Sequence, residues 1–166
     1  KHEFLPKDIE WHMVGHVQTN KVKYMAPFVS LVHAVDSLKL LKEINKEGNK
    51  NNRLIKCLLQ IKIAQEDTKF GITIEEAEKI LASEEYQKMQ HTKVVGLMGM
   101  ATFTNDEDQV AAEFSFLKKH FDLLKQKNED FKILSMGMSG DYKIAIDCGS
   151  TMIRVGSSIF GERNYQ

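Results

Sequence analysis

Short apolar runs alternate along this chain with longer stretches whose apolar residues recur at helical spacing. The runs over 9–14, 31–35, 53–63, 93–98, 132–134 and 151–155 predict strands. The stretches over 18–24, 37–47, 73–83, 109–127 and 140–147 predict helices, and a short one follows from Ser157. Boundary residues support this division. Asp36-Ser37 offers an N-cap before Leu38, Leu40 and Leu41, and Thr73-Ile74-Glu75-Glu76 reads as a capping box. Gly48 and Gly149 sit where helices are expected to stop. Val110, Phe114, Leu117, Phe121 and Leu124 form one stripe, read as core and not as a ligand box.

Strands that alternate with helices imply βαβ units and a parallel sheet. The strands are apolar nearly throughout, as expected when both faces are covered. An open doubly wound sheet and a closed barrel both fit that rhythm. No Gly-rich dinucleotide turn follows the first strand, and the glycine and hydroxyl clusters follow the last two strands instead. Barrels commonly build a phosphate site there.

With 166 residues there is room for one domain, and the 23 basic side chains equal the 23 acidic ones. That balance gives no electrostatic reason to expect nucleic acid or an anionic membrane as partner, while a small anion held by backbone N–H groups stays possible. Cys57 and Cys148 are far apart and read as reduced thiols. No apolar run approaches the ~20 residues of a membrane helix, and 1–6 lacks the apolar core of a signal peptide, so the cytoplasm is the expected location.

Chemistry concentrates from Ser135 to Gly161. Gly156 removes a Cβ where a phosphate would approach the backbone, and Ser157 adds a hydroxyl at a helix start. Ser135-Met136-Gly137-Met138-Ser139-Gly140-Asp141 reads as a second cluster of free amides and hydroxyls after the preceding strand, about 5 Å away. Asp141 is expected to stabilise its own helix and face solvent. Strand alternation puts Arg154 on the same side as Met152; it either faces a ligand beside the phosphate or makes an internal ion pair. Lys69, in the polar stretch 66–71, lies at the functional rim, within reach of a ligand or simply solvated. Lys62 is expected to face outward or towards the rim. His12 and His16 straddle a strand end without a third ligand, and no metal site is expected.

Taken together, 11–21, 35–37, 59–61, 68–71, 96–99, 134–139 and 151–165 resemble the pyridoxal phosphate homeostasis protein family, YggS-like barrel proteins related to alanine racemase. The resemblance covers essentially the whole chain, in the family's order. It implies a TIM-type (β/α)8 barrel of the alanine racemase N-terminal-domain type, with pyridoxal 5'-phosphate at the C-terminal mouth of the strands. Carried over, Met138, Ser139, Gly156 and Ser157 would hold the phosphate, Ser157 standing where the family commonly has threonine. Arg154 would face the pyridine nitrogen, where a guanidinium that stays protonated disfavours ring protonation. The family's Schiff-base lysine and its Gly-Glu-Asn-like motif lie on the first two barrel strands and match nothing here. The chain is therefore expected to be one domain, 1–166, holding the last six βα units, with about 60–80 residues absent before it.

The favoured expectation is a non-catalytic carrier that binds pyridoxal phosphate for its intracellular homeostasis and passes it to apo-enzymes. A racemase-like enzyme and a barrel for another phosphorylated metabolite are the alternatives. The full-length protein is expected to be a monomer, and this piece, with two open strand edges, to be marginally stable or self-associating.

Overall fold

The computed structural model of the chain describes residues 2–65 and 70–161. Six parallel strands stand side by side in chain order: β1 (Trp11–Met13), β2 (Val29–Val35), β3 (Ile55–Ile61), β4 (Thr92–Gly99), β5 (Ile133–Met138) and β6 (Met152–Arg154). Between them lie α1 (Val22–Met25) behind a 3-10 turn, α2 (Leu38–Lys50), α3 (Ile74–Ala82), α4 (Glu84–Gln87), α5 (Glu107–Lys127) and α6 (Tyr142–Asp147); α7 (Ser157–Phe160) follows β6. Parallel neighbours in unbroken order, with helical crossovers, are the wall of a (β/α) barrel, and an open doubly wound sheet would reverse its order at a switch point.

Curvature follows from a side-chain distance. Three strand intervals separate β2 from β5, about 14 Å in a flat sheet. His33 on β2 nevertheless hydrogen-bonds Ser135 on β5 at 3.0 Å. Only a sheet rolled towards its inner face brings those two short side chains together. The strands accordingly bury both faces. Leu31, Ala34, Leu58, Val95 and Met98 pack inside the curl with Met100, Ile133 and Met152. The larger core lies on the outer face, where Val32, Val35, Cys57, Leu59, Val94, Leu97 and Leu134 meet the helices.

The helices form where local chemistry asks for them. Ser37 caps α2 by accepting from the Leu40 amide. Thr73 and Glu76 complete the capping box of α3. Asp106 starts α5 two residues before the predicted start, and its stripe Val110, Phe114, Leu117, Phe121 and Leu124 is buried as expected.

Three expectations need correction. Gly48 does not end α2, which runs on to Lys50; a Cβ there would meet the His91 carbonyl at 2.6 Å, so glycine serves a close backbone approach. The turn comes afterwards, where Asn52 takes a left-handed conformation (φ 50°). Second, β5 does not stop at Leu134. Ser135 to Met138 continue the strand, because Gly137, at φ 93°, lets the backbone close onto Ala145, and pairing with β6 resumes at Met138 after a shift of register. The cluster of serines and glycines had the composition of a loop and is half strand. Third, the four-residue helix α4 lies in a stretch with no predicted element, started by the Ser83 hydroxyl accepting from Tyr86 N–H.

Candidate functional site

The C-terminal ends of β5 and β6 meet as the sequence suggested. Ser139, just past β5, accepts hydrogen bonds from the Gly156 amide at 3.1 Å and the Ser158 amide at 3.4 Å. One hydroxyl thus ties the two clusters together. Gly156 opens onto free space, with nothing within 4 Å of where a Cβ would stand. The Ser157 amide and hydroxyl have no hydrogen-bond partner among the described residues, and both lie at the exposed start of α7. Met138 differs from expectation. Its amide donates to the Asp141 carboxylate at 2.6 Å and is not free for an anion. Asp141 correspondingly does not cap α6 with its side chain; it turns back to the end of β5 instead.

Arg154 points inward from β6. Nη1 donates to Ser135 Oγ at 2.7 Å, and Nη2 donates across β5 to the Gly99 carbonyl at the end of β4, at 3.0 Å. Its third nitrogen, Nε, is buried with its N–H unpartnered among the described residues. No ion pair to Arg154 exists among the described residues, so the internal-pair reading does not hold there. Burial lowers its pKa to about 10, partly opposed by the charge of Asp141, which leaves the guanidinium charged at neutral pH. A charged group with both Nη atoms bonded and a buried Nε–H left unpartnered is prepared for an acceptor supplied from outside.

Sequence reasoning missed what stands behind the arginine. Ser135 also meets His33 Nδ1, and His33 Nε2 meets His12 Nδ1 at 3.2 Å. His33 is buried, and burial first, then His12 and Arg154, push its pKa down to about 3. His12 is lowered as well, by burial against the raising effect of Glu10. The signal lay in a histidine inside the apolar run 31–35, at a position where hydrophobicity alone gives no reason for it.

The rim is held from behind. Glu113 on α5 accepts from Thr102 N–H and Oγ1–H, both at 2.7 Å, and Thr102 Oγ1 accepts from the Gln65 amide at 3.0 Å. Gln60 donates to the Phe70 carbonyl at 2.9 Å, and Phe70 stacks on His16, which faces Asp36 at 3.4 Å. These contacts fix both flanks of 66–69. Lys69 itself lies outside the described residues. Lys62, just past β3, is exposed at the rim. His12 and His16 do not converge on one point, and no cluster with metal-binding composition occurs among the described residues. Cys57 is buried with its thiol pushed up to about 12, and both cysteines are free. No described helix is long and apolar enough to cross a membrane.

Comparison with known proteins agrees with this geometry. The profile of the alanine racemase N-terminal domain matches residues 6–164. A pyridoxal phosphate homeostasis protein of Aquifex aeolicus is 37% identical over 98% of this chain and 74% of its own length. The chain belongs to the pyridoxal phosphate homeostasis protein family. A second member, from Helicobacter pylori, is 38% identical over 96% of this chain and 69% of its own length. Among solved structures, PipY of Synechococcus elongatus with pyridoxal phosphate bound superposes with a TM-score of 0.84 at 28% identity, covering 96% of this chain and 74% of that one. The fold is therefore that of the alanine racemase N-terminal domain, here a curled six-stranded parallel wall. In this chain Arg154, Ser139, Gly156 and Ser157 stand at or just past the C-terminal ends of β5 and β6.

Proposed function

We propose that this chain binds pyridoxal 5'-phosphate without catalysing a reaction on it, and serves its homeostasis inside the cell. The observation that carries this is the Arg154 guanidinium, pinned through both Nη groups with its buried Nε–H left over. A neutral pyridine nitrogen is an acceptor that matches such a donor. The phosphate falls to the Ser157 amide and hydroxyl and to the open turn at Gly156, with the Ser139 hydroxyl beside them. The Met138 amide can join only if Asp141 releases it, so Met138 contributes mainly through its partly exposed side chain at the rim. Lys69 is assigned to the same rim by its place after β3.

Bound pyridoxal phosphate supplies an aldehyde carbon and a pyridine ring that can draw electrons. Arg154, charged near neutrality, holds the ring nitrogen from the donor side and discourages its protonation. That makes the ring a weak electron sink, as suits storage and transfer to apo-enzymes better than turnover. Residues 1–166 then act as one domain, the last six βα units of a (β/α)8 barrel, in the cytoplasm.

Equilibrium dialysis with pyridoxal phosphate tests the reading. Saturable binding is expected, and Arg154→Ala is expected to weaken it about tenfold or more, the worth of one charged hydrogen bond. Absence of saturable uptake, or an R154A variant that binds as well as the parent, rejects the assignment.

A further inference from the structure

The row His12–His33–Ser135–Arg154 crosses the inner face of four strands, and hydrogen-bond chemistry gives it a single direction. Arginine can only donate, so Ser135 Oγ must accept from Nη1. The serine hydroxyl has one proton, and among the described residues the only acceptor it meets is His33 Nδ1 at 3.0 Å. His33 Nδ1 therefore accepts, and the proton of a neutral His33 sits on Nε2. From there it faces His12 Nδ1 at 3.2 Å, which must accept in turn. We propose that His33, Ser135 and His12 form a one-way hydrogen-bond relay that positions Arg154, holding its Nε–H towards the ligand space of the barrel. The proposal deepens the pyridoxal phosphate reading and rests on it for the ligand, but the relay itself belongs to the ligand-free chain.

The geometry carries the case. Ser135 is fully buried on β5, and His33 is 1% exposed on β2, so neither can turn to water for a partner. If His33 instead carried its proton on Nδ1 and donated to the serine, the buried Ser135 hydroxyl proton would be left without an acceptor among the described residues. The Gly99 carbonyl fixes the second Nη, so the plane of the guanidinium is set by two anchors on β4 and β5. Ser135 is one anchor, and His33 keeps its lone pair turned towards the arginine. Both histidines must stay neutral for this order to hold. Protonated His12 would present Nδ1–H to His33 Nε2–H, donor against donor. The charged and titratable groups facing the row are Arg154 beside Ser135 and His33, Glu10 near His12, and Asp141 near Arg154. Burial and the arginine keep His33 neutral, and burial also disfavours charge on His12.

Two measurements on the whole 166-residue chain test the relay. Long-range nitrogen–proton NMR on the ligand-free, 15N-labelled chain reads the tautomers directly. His33 and His12 are both expected neutral at pH 7 with the proton on Nε2; a His33 carrying its proton on Nδ1, or a charged His33, overturns the relay. The second uses pyridoxal phosphate labelled with 15N in the ring. With the parent chain the ring nitrogen is expected unprotonated. Ser135→Ala and His33→Leu are expected to move its shift towards the protonated value and to weaken binding about tenfold. Ser135→Thr and His33→Asn, which restore a hydroxyl or an acceptor, are expected to recover most of the parent shift. Ser135→Ala and His33→Leu chains that both keep the parent's shift and affinity overturn the positioning role, with the Ser135→Ala arm deciding if His33→Leu fails to fold. The correct tautomers without any uptake of pyridoxal phosphate would reject the ligand reading alone, whereas uptake with the wrong tautomers would reject the relay alone.

Discussion

His33 is neutral in the folded chain because burial and the charge of Arg154 keep a second proton off a ring whose nitrogens both have partners. In the unfolded chain the same imidazole titrates near its ordinary value of about 6.5. The unfolded state therefore gains a proton that the folded state refuses. Stability from this group is complete above about pH 6.5 and is lost as pH falls towards about 3, at up to ~1.4 kcal/mol per pH unit. Urea titrations are expected to show about 2 kcal/mol less stability at pH 5 than at pH 7. His12, also lowered, adds in the same sense. His33→Leu should flatten that slope, and a slope as steep as the parent's would contradict the assignment. Arg154 was legible in the sequence because strand parity and an arginine at a strand end are local facts. His33 was not, because its partners come from strands 102 and 21 residues away, and spacing along the chain does not announce them.

At the scale of elements, β4 and β5 approach closely at Gly96. A Cβ at Gly96 would run into the backbone carbonyl of Ile133, its ladder partner, and a carbonyl cannot rotate away as a side chain can. Gly96→Ala is expected to destabilise by several kcal/mol, among the largest single-site losses here, as read by thermal or urea unfolding. Thr73→Ala removes a capping box at an exposed helix start and should cost only about 1 kcal/mol. The contrast separates backbone collision from a lost cap. All six strands were legible from their apolar runs, as were the long helices. Their ends were less so. Gly137 and Ser135 made the second half of β5 look like a loop, and only its pairing with Met152 and Arg154 on β6 shows it to be strand. Gly48 misled in the other direction, since a stop signal and a close-contact glycine are written with the same residue.

For the whole molecule, the sheet has β1 and β6 at its ends, each paired on one side only among the described residues. Open parallel edges invite further pairing. Ile159 and Phe160, 67% and 85% exposed, lie just beyond β6 and add apolar surface near one of them. Sedimentation velocity on the 166-residue chain is expected to show association that grows with concentration; a single monomer boundary across a wide range would contradict it. The order of runs fitted an open sheet as well as a barrel, and the barrel was readable only from the glycine clusters at the last two strands and the family resemblance. The curl itself was not, because nothing local encodes how far a sheet rolls.

The bond from His33 to Ser135 spans 102 residues of chain, whereas each strand pairs with the next one along. Neighbouring βα units can therefore assemble in succession, each closing a short loop. The chord across them forms only when four strands are in register and rolled together, after most of the loop-closure entropy has been spent. His33 thus acts as a clock for the last stage of folding. Its side-chain NMR signature is expected to appear in the slowest refolding phase, after the strands have gained amide protection.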